Sequence, residues 1–428
     1  MASLSPILKQ ATPVVVDHAL GSWIHGADGR AYLDFTTGIG VTSTGHCHPH
    51  VVAAAREQIG SVIHAQYTTV MHKPLLKLTQ MLGDVLPQGL DSVFYANSGS
   101  EAVEATIRLA RMATGRPNII AFQGGFHGRT VAASSLTTAG SKFRSGFSPL
   151  MGGVYIAAFP DAVRYGWSQQ QSVDFALREL DLLLQTVSHV DDTAAFIIEP
   201  ALGDGGYLPT PPAFLAGLRE RADRHGILLI LDEVQAGVGR TGKFWGHQWT
   251  SVTPDIMTFA KGIASGFPIS GIAASSATMS KAWPGSQGGT YCGNAVAAAA
   301  AIATLEVIER ENLVENSARR GEQLTEGLLR LKHRTASIAD VRGHGLMIGI
   351  EFTDPDNTPR ADLAAAVQQR AIDEGLLLLT CGLRGNVVRV IPALTVSADE
   401  VETGLRAIER SFAAVLPDFV ASSVPVPA

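Results

Sequence analysis

The chain has 428 residues, 46 % of them hydrophobic and 17 % charged, and a formal net charge of -6. That length supports a large core and roughly two or three domains. No long basic run offsets the negative charge, which excludes the electrostatic footprint of a nucleic-acid or anionic-lipid binder and leaves small-molecule chemistry in front.

In chain order, the start MASLSPILKQATPVVVDH has no basic segment followed by an apolar one, so no secretory leader is expected. SWIHGADGRAYLDF holds strand candidates. GHCHPH at 45–50 gathers His46, Cys47, His48 and His50 as if for a metal. Neighbours on an extended segment point in alternate directions, however, and Pro49 suits the first turn of the following HVVAAAREQIG. The segment is read as a turn leading into a helix, with no metal.

From about residue 92 to residue 273, short apolar runs alternate with helical patterns. SVFYA, NIIAF, GVYIA, AAFIIEP, GILLILDE, IMTFA and ISGIAA read as strands, and most lack polar alternation, as strands buried on both faces do. EAVEATIRLARMATG and PAFLAGLRERADRHG read as helices between them. The rhythm predicts an α/β fold with a mainly parallel sheet of seven strands under helices, and ligands on such sheets bind at the carboxyl ends of the strands.

AVAAAAAIATLEVI (295–308) is alanine-rich and soon meets charge, so it is read as a packed helix and no membrane is expected. Beyond residue 300, long charged helices and the strand candidates LMIGIEF, LLLLTCG and NVVRVIP predict a smaller α+β domain. The expected division is 1–50 as an N-terminal segment joined to the small domain, 51–305 as the large domain and 306–428 as the small domain. FVASSVPVPA at the end reads as a frayed tail. Three widely spaced cysteines, Cys47, Cys292 and Cys381, suit a reducing cytoplasm rather than a disulfide framework.

Four segments bear on chemistry. GVGRTG (237–242) fits G-x-G-x-x-G, but it lacks the strand-to-helix turn of a dinucleotide site. NSGSEAVEAT (97–106) follows a strand and opens a helix, with Ser98 and Glu101 at capping-box spacing; small residues and the helix dipole make its start a place for an anion. Asp232 ends the apolar strand GILLIL and presents a carboxylate at the sheet's carboxyl edge. Lys261, in TFAKGIASGFP, lies in apolar surroundings on the loop after the strand IMTFA. A carboxylate for a pyridinium nitrogen, a lysine for an imine and a helix start for a phosphate together describe a pyridoxal phosphate site.

On these residues the chain resembles the class III aminotransferases, the group that includes 4-aminobutyrate, ornithine and other ω-amino acid transaminases. The likeness runs from GSWIHGADGRAYLDFTTGIGV to NVVRVIPAL. It implies the fold type I architecture of pyridoxal phosphate enzymes and a homodimer, or dimer of dimers, with shared active sites. It also implies that Lys261 carries the cofactor, Asp232 keeps the pyridine nitrogen protonated and Gln235 meets the ring hydroxyl. FQGGFHGRT supplies Phe126 against the ring with His127 beside it; Ser98, Gly99 and Ser100 hold the phosphate, and Thr290 of GGTYCGN reaches the phosphate of the neighbouring subunit.

For substrate, the likeness gives Arg389 to an α-carboxylate, Arg129 to a distal carboxylate, and Ile39 to the wall of the same pocket. The family's usual QGEGG reads ALGDGG here, so Asp204 replaces the glutamate that engages Arg389. One methylene shorter, Asp204 is expected to reach Arg389 poorly or only with a loop shift; Glu199 is expected in the pocket. The implied reaction is ping-pong transfer of an amino group from an ω-amino acid, 4-aminobutyrate first, to 2-oxoglutarate. Two alternatives share the chassis: a pyruvate-dependent transaminase of β-alanine, taurine or amines, and an amino acid racemase or epimerase.

Overall fold

The computed structural model describes residues 3–420. At its centre lies a seven-stranded sheet in the order Ser92–Ala96, Ser270–Ala274, Ile256–Phe259, Leu228–Asp232, Thr193–Ile198, Asn118–Phe122, Val154–Ala157. These are the seven expected runs. Only Ser270–Ala274 runs antiparallel to its neighbours. Every residue of Asn118–Phe122, Thr193–Ile198 and Ser270–Ala274 is buried, which is why these segments show no polar alternation.

The helices Gly99–Thr114 and Pro212–His225 stop at Gly115 and Gly226, which take φ of 70° and 61°. That left-handed cap costs a glycine little. The alanine-rich run forms the helix Ala295–Arg310, whose small side chains let it pack against Pro49–Ile59 and Lys73–Val85. Among the described residues no helix is long and apolar enough to cross a membrane.

The N-terminal strands Val16–Leu20, Trp23–Gly26 and Ala31–Asp34 are antiparallel, and Ala31–Asp34 pairs in parallel with Leu376–Leu377. The chain's beginning thus shares a sheet with a strand from its last quarter. A further antiparallel sheet joins Ile338–His344, Met347–Phe352, Val387–Val390 and Leu379–Cys381. Leu313–Lys332, Ala361–Asp373 and Ala398–Val415 are its accompanying helices. LLLLTCG, expected as one strand, is two: Leu376 pairs with Leu33 in the first sheet and Leu379 with Arg389 in the second. Every leucine there suits either sheet, so hydropathy cannot mark the break.

GHCHPH leads into a helix, as expected. His48 caps Pro49–Ile59 by accepting from the His50 N–H at 3.3 Å. The three histidines face three different carboxylates, His46 on Asp34 at 2.8 Å, His48 on Glu311 at 3.2 Å and His50 on Glu306 at 2.7 Å. Among the described residues no three His, Cys, Asp or Glu are grouped to hold a metal. Cys47, Cys292 and Cys381 are free thiols. The tail expected over 419–428 lies, from 421 on, outside the described residues.

The centre of the sheet is tightly interlocked at Gly271, where a Cβ would fall 2.6 Å from both the Phe94 carbonyl oxygen and Phe259 Cζ. Gly271→Ala is expected to cost about 1–3 kcal/mol through overpacking against backbone. Thermal unfolding measures this, and an unchanged midpoint would mean that the sheet relaxes around the methyl.

Candidate active site

The register between two parallel strands creates the site. Asp232 ends Leu228–Asp232 directly opposite Thr258, three residues before Lys261. The Asp232 carboxylate is buried and triply engaged: Oδ1 accepts from Thr258 Oγ1 at 2.8 Å and from the Val234 N–H at 3.2 Å, and Oδ2 meets His127 Nδ1 at 2.8 Å. Lys261 opens a short 3-10 turn with φ of 46°, an unusual value for a side-chain-bearing residue. Its amine faces a cavity of about 310 Å³.

Asp232, His127, Phe126, Gln235 and Glu199 line that cavity with Lys261, and Ser98, Gly99 and Ser100 join them from the start of the helix Gly99–Thr114. Burial pushes the Lys261 amine below its ordinary pKa, against the pull of Asp204, Glu199 and Asp232. Burial thus favours the neutral, nucleophilic form of the lysine over the charged one. Burial also opposes the charged form of His127, but the hydrogen bond and charge of Asp232 outweigh it and raise the imidazole's pKa. Glu199 is pushed up to about 7, mainly by burial, although it accepts the Phe126 and Gly203 N–H groups at 2.8 and 2.9 Å.

At the helix start, Ser98 Oγ accepts from the Glu101 N–H at 3.3 Å. The expected capping box is only half formed, because Glu101 reaches past Ser98 to the Asn97 N–H at 2.6 Å. Backbone packs closely here: at Gly128, φ 128°, a Cβ would lie 2.4 Å from Ser100 Oγ. Gln235 Oε1 is buried in the cavity wall without a hydrogen-bond partner. An orphaned acceptor, a buried amine whose charged form burial disfavours, a fixed carboxylate and a helix start of small residues fit pyridoxal phosphate: each polar feature of the cofactor finds one counterpart of the right kind.

Beside the cavity, Arg389 of Val387–Val390 is buried and bonds Asp204 Oδ1 through Nη1 at 2.6 Å. Asp204 was expected to reach Arg389 poorly or only with a loop shift, and the contact is made. The Gly382 N–H also donates to the Asp204 carbonyl at 2.9 Å. Arg389 Nε stays unpaired. Arg389 and Asp204 do not line the cavity but both act on the charge of Lys261.

Three further expected site residues also lie outside the cavity. Thr290 is exposed. Arg129 is exposed, with its guanidinium 4.8 Å from the centre of the Phe143 ring. Ile39 is exposed within a run, Thr37 to Gly40, whose φ values are 47°, 60°, 71° and 74°. Asp34 steadies that run by accepting the Thr36 and Thr37 N–H groups at 2.8 and 3.1 Å. Among the contributors that escaped the sequence reading are Thr258, the partner of Asp232, and Val41 and Phe267 in the cavity wall. A lone hydroxyl in the apolar strand IMTF was the available signal for Thr258.

A mainly parallel sheet that delivers a buried lysine and a histidine-backed aspartate to one cavity defines a pyridoxal phosphate enzyme of fold type I. The chain belongs to the class-III aminotransferases, which it matches over residues 6–412. It is 40 % identical over 408 residues, 95 % of each chain, to a 5-aminovalerate aminotransferase of Pseudomonas putida. It is 39 % identical over 406 residues, 94 % of each chain, to a 4-aminobutyrate aminotransferase of Escherichia coli. Its fold superposes with a TM-score of 0.90, at 29 % identity over 97 % of this chain and 99 % of the other, on an amine transaminase from an uncultivated Pseudomonas species in its pyridoxal phosphate-bound form. The protein is a pyridoxal phosphate-dependent aminotransferase that takes an amino donor and a keto acid acceptor.

In Asp232→Asn the burial of His127 persists while the charge that raises its pKa is gone. His127 is then expected to titrate below its ordinary value of about 6.5. Histidine NMR titration of the cofactor-free protein checks this; an imidazole that still titrates above that value counts against Asp232 as the cause.

Proposed function

We propose that this aminotransferase moves the amino group of an ω-amino acid, 4-aminobutyrate first, to 2-oxoglutarate. The observation that carries the reading is the buried ion pair of Arg389 and Asp204 at 2.6 Å, next to the amine of Lys261. A guanidinium fork suits a carboxylate, and here it already holds one that belongs to the protein. Glutamate and 2-oxoglutarate bring an α-carboxylate that takes the place of Asp204. A donor whose amino-bearing carbon has no carboxylate leaves Asp204 in place, and Arg389 is never buried without a counter-charge. The relatives named for 5-aminovalerate and 4-aminobutyrate support donors of this kind, since both acids carry the amine far from the carboxylate.

Pyridoxal phosphate, when bound, supplies a carbonyl for imine formation and a ring that draws electrons from the donor carbon. Lys261, whose charged form burial disfavours, would hold the cofactor and move the proton of the carbon that bears the donor nitrogen. Asp232, fixed by His127 and Thr258, would accept the hydrogen bond of a protonated ring nitrogen. Gln235 Oε1 would take the ring hydroxyl, Phe126 would meet the ring, and the N–H groups of Ser98, Gly99 and Ser100 would hold the phosphate. Glu199 anchors the Phe126 backbone and the Gly203 N–H, and so braces the pocket.

Arg129 and Ile39 receive the donor's distal carboxylate and line its path. We assign them, with Thr290, to sites shared between the subunits of a homodimer. Their exposure in the single chain, and the exposed apolar residues Ile59, Ile63, Val70, Met71 and Tyr291, support that assembly.

Lys261→Ala is expected to abolish the imine absorbance and to lower turnover by about a thousandfold or more; normal turnover in this variant overturns the assignment. A panel of half-reactions tests the substrate. The holoenzyme is given single amines without a keto acid, and conversion to pyridoxamine phosphate is read by absorbance. Efficient conversion by 4-aminobutyrate and L-glutamate is expected. Preference for β-alanine or simple amines with pyruvate favours the pyruvate-dependent alternative, and racemisation of the amino acid without conversion of the cofactor favours the racemase.

A further inference from the structure

The loop that carries Asp204 is not held by Asp204 alone. Arg342, in the strand Ile338–His344, donates from Nε and Nη2 to the Gly206 carbonyl at 3.0 and 2.8 Å. Its third nitrogen, Nη1, is tied to Asp340 Oδ2 at 3.2 Å and to Glu351 Oε2. The other Glu351 oxygen accepts from Asn386 Nδ2 at 3.1 Å. The Arg342 side chain is only 10 % exposed, so this fork is fixed on both sides.

The clamped segment is conformationally demanding. Gly206 and Tyr207 have φ of 124° and 53°, and the second of these is a left-handed aromatic residue. A Cβ on Gly206 would stand 3.1 Å from Arg342 Nη2, which shows how closely the guanidinium backs the loop. Through strand pairing, the same network reaches Arg389: Glu351 lies opposite Val387 and Gly349 opposite Arg389. One buried arginine thus grips the loop of Asp204 while its carboxylate partner sits in the strand next to Arg389.

We propose that Arg342 is a positioning residue for substrate selection: by holding the Gly206 carbonyl it sets how firmly Asp204 occupies Arg389, and hence how donors without an α-carboxylate compete with glutamate. The inference rests on the alternation of Asp204 and substrate carboxylate at Arg389 proposed above. A looser clamp frees Arg389 for carboxylates and weakens the state that 4-aminobutyrate needs. Arg342 touches neither substrate nor cofactor and acts only through the loop.

Arg342→Lys keeps a positive charge beside Glu351 but cannot donate from a fork to Gly206. In the holoenzyme, the ratio of kcat/KM for 4-aminobutyrate to that for L-glutamate is expected to fall about tenfold, the size of one charge-assisted hydrogen bond. Glutarate, a dicarboxylate that cannot react, is expected to bind more tightly when titrated against the cofactor's absorbance. In an Asp204→Asn background the Lys substitution should change neither quantity further. Equal loss with both donors, or a shift that persists without Asp204, overturns the proposal in favour of a merely structural arginine. Asp204→Asn alone separates the two levels: a changed ratio there with none in Arg342→Lys defeats only the clamp, and an unchanged ratio there defeats the reading of Arg389 and the clamp with it. Should Arg342→Lys not fold, Glu351→Gln is expected to move the ratio in the same direction, and an unmoved ratio has the same overturning force.

Discussion

The parallel register that sets Asp232 opposite Thr258 is the constraint from which the site follows. Two strands that stop side by side bring a carboxylate and, three residues on, an amine to the same edge of the sheet. The hydroxyl of Thr258 then becomes a ligand of Asp232 rather than an isolated polar group in a core strand. Neither position needs a long loop to find the other, and rigidity at the strand ends transfers directly to the cavity.

Around that edge the protein buries several ionisable groups and settles each differently. Asp232 is paired with His127, Arg389 with Asp204, Glu199 is pushed up to about 7, and the Lys261 amine, without a salt-bridge partner among the described residues, is pushed below its ordinary pKa by burial. Buried ion pairs seldom add much net stability, because desolvation consumes most of their attraction. Their value here is positional. A paired carboxylate keeps one orientation, and an unpaired amine keeps its lone pair.

Much of this was legible in the sequence. All seven strands of the large sheet were visible because burial on both faces leaves uninterrupted apolar runs; Asp232, Lys261 and the helix start at Ser98 carried signatures of their own, whereas Phe126, His127 and Gln235 came only from the family resemblance. LLLLTCG was not resolved into two strands, since a change of sheet leaves no mark in an all-leucine run. Whether the shorter Asp204 meets Arg389 directly was left open, since counting methylenes measures the side chain and not the path of the loop that carries it. Exposure of Ile39, Arg129 and Thr290 was not legible either, because sequence neighbours do not reveal which loop residues the fold leaves on the surface.

The left-handed run from Thr37 to Gly40 has a consequence for how this protein can change. Ile39 is β-branched at φ 71°, a conformation that costs on the order of 1–3 kcal/mol for such a residue. Glycine there would relieve the strain and remove the side chain at once. Stability and the pocket role proposed for Ile39 therefore pull against each other at this position; with that role, a screen that selects for heat resistance alone would drift toward an enzyme that folds better and discriminates less.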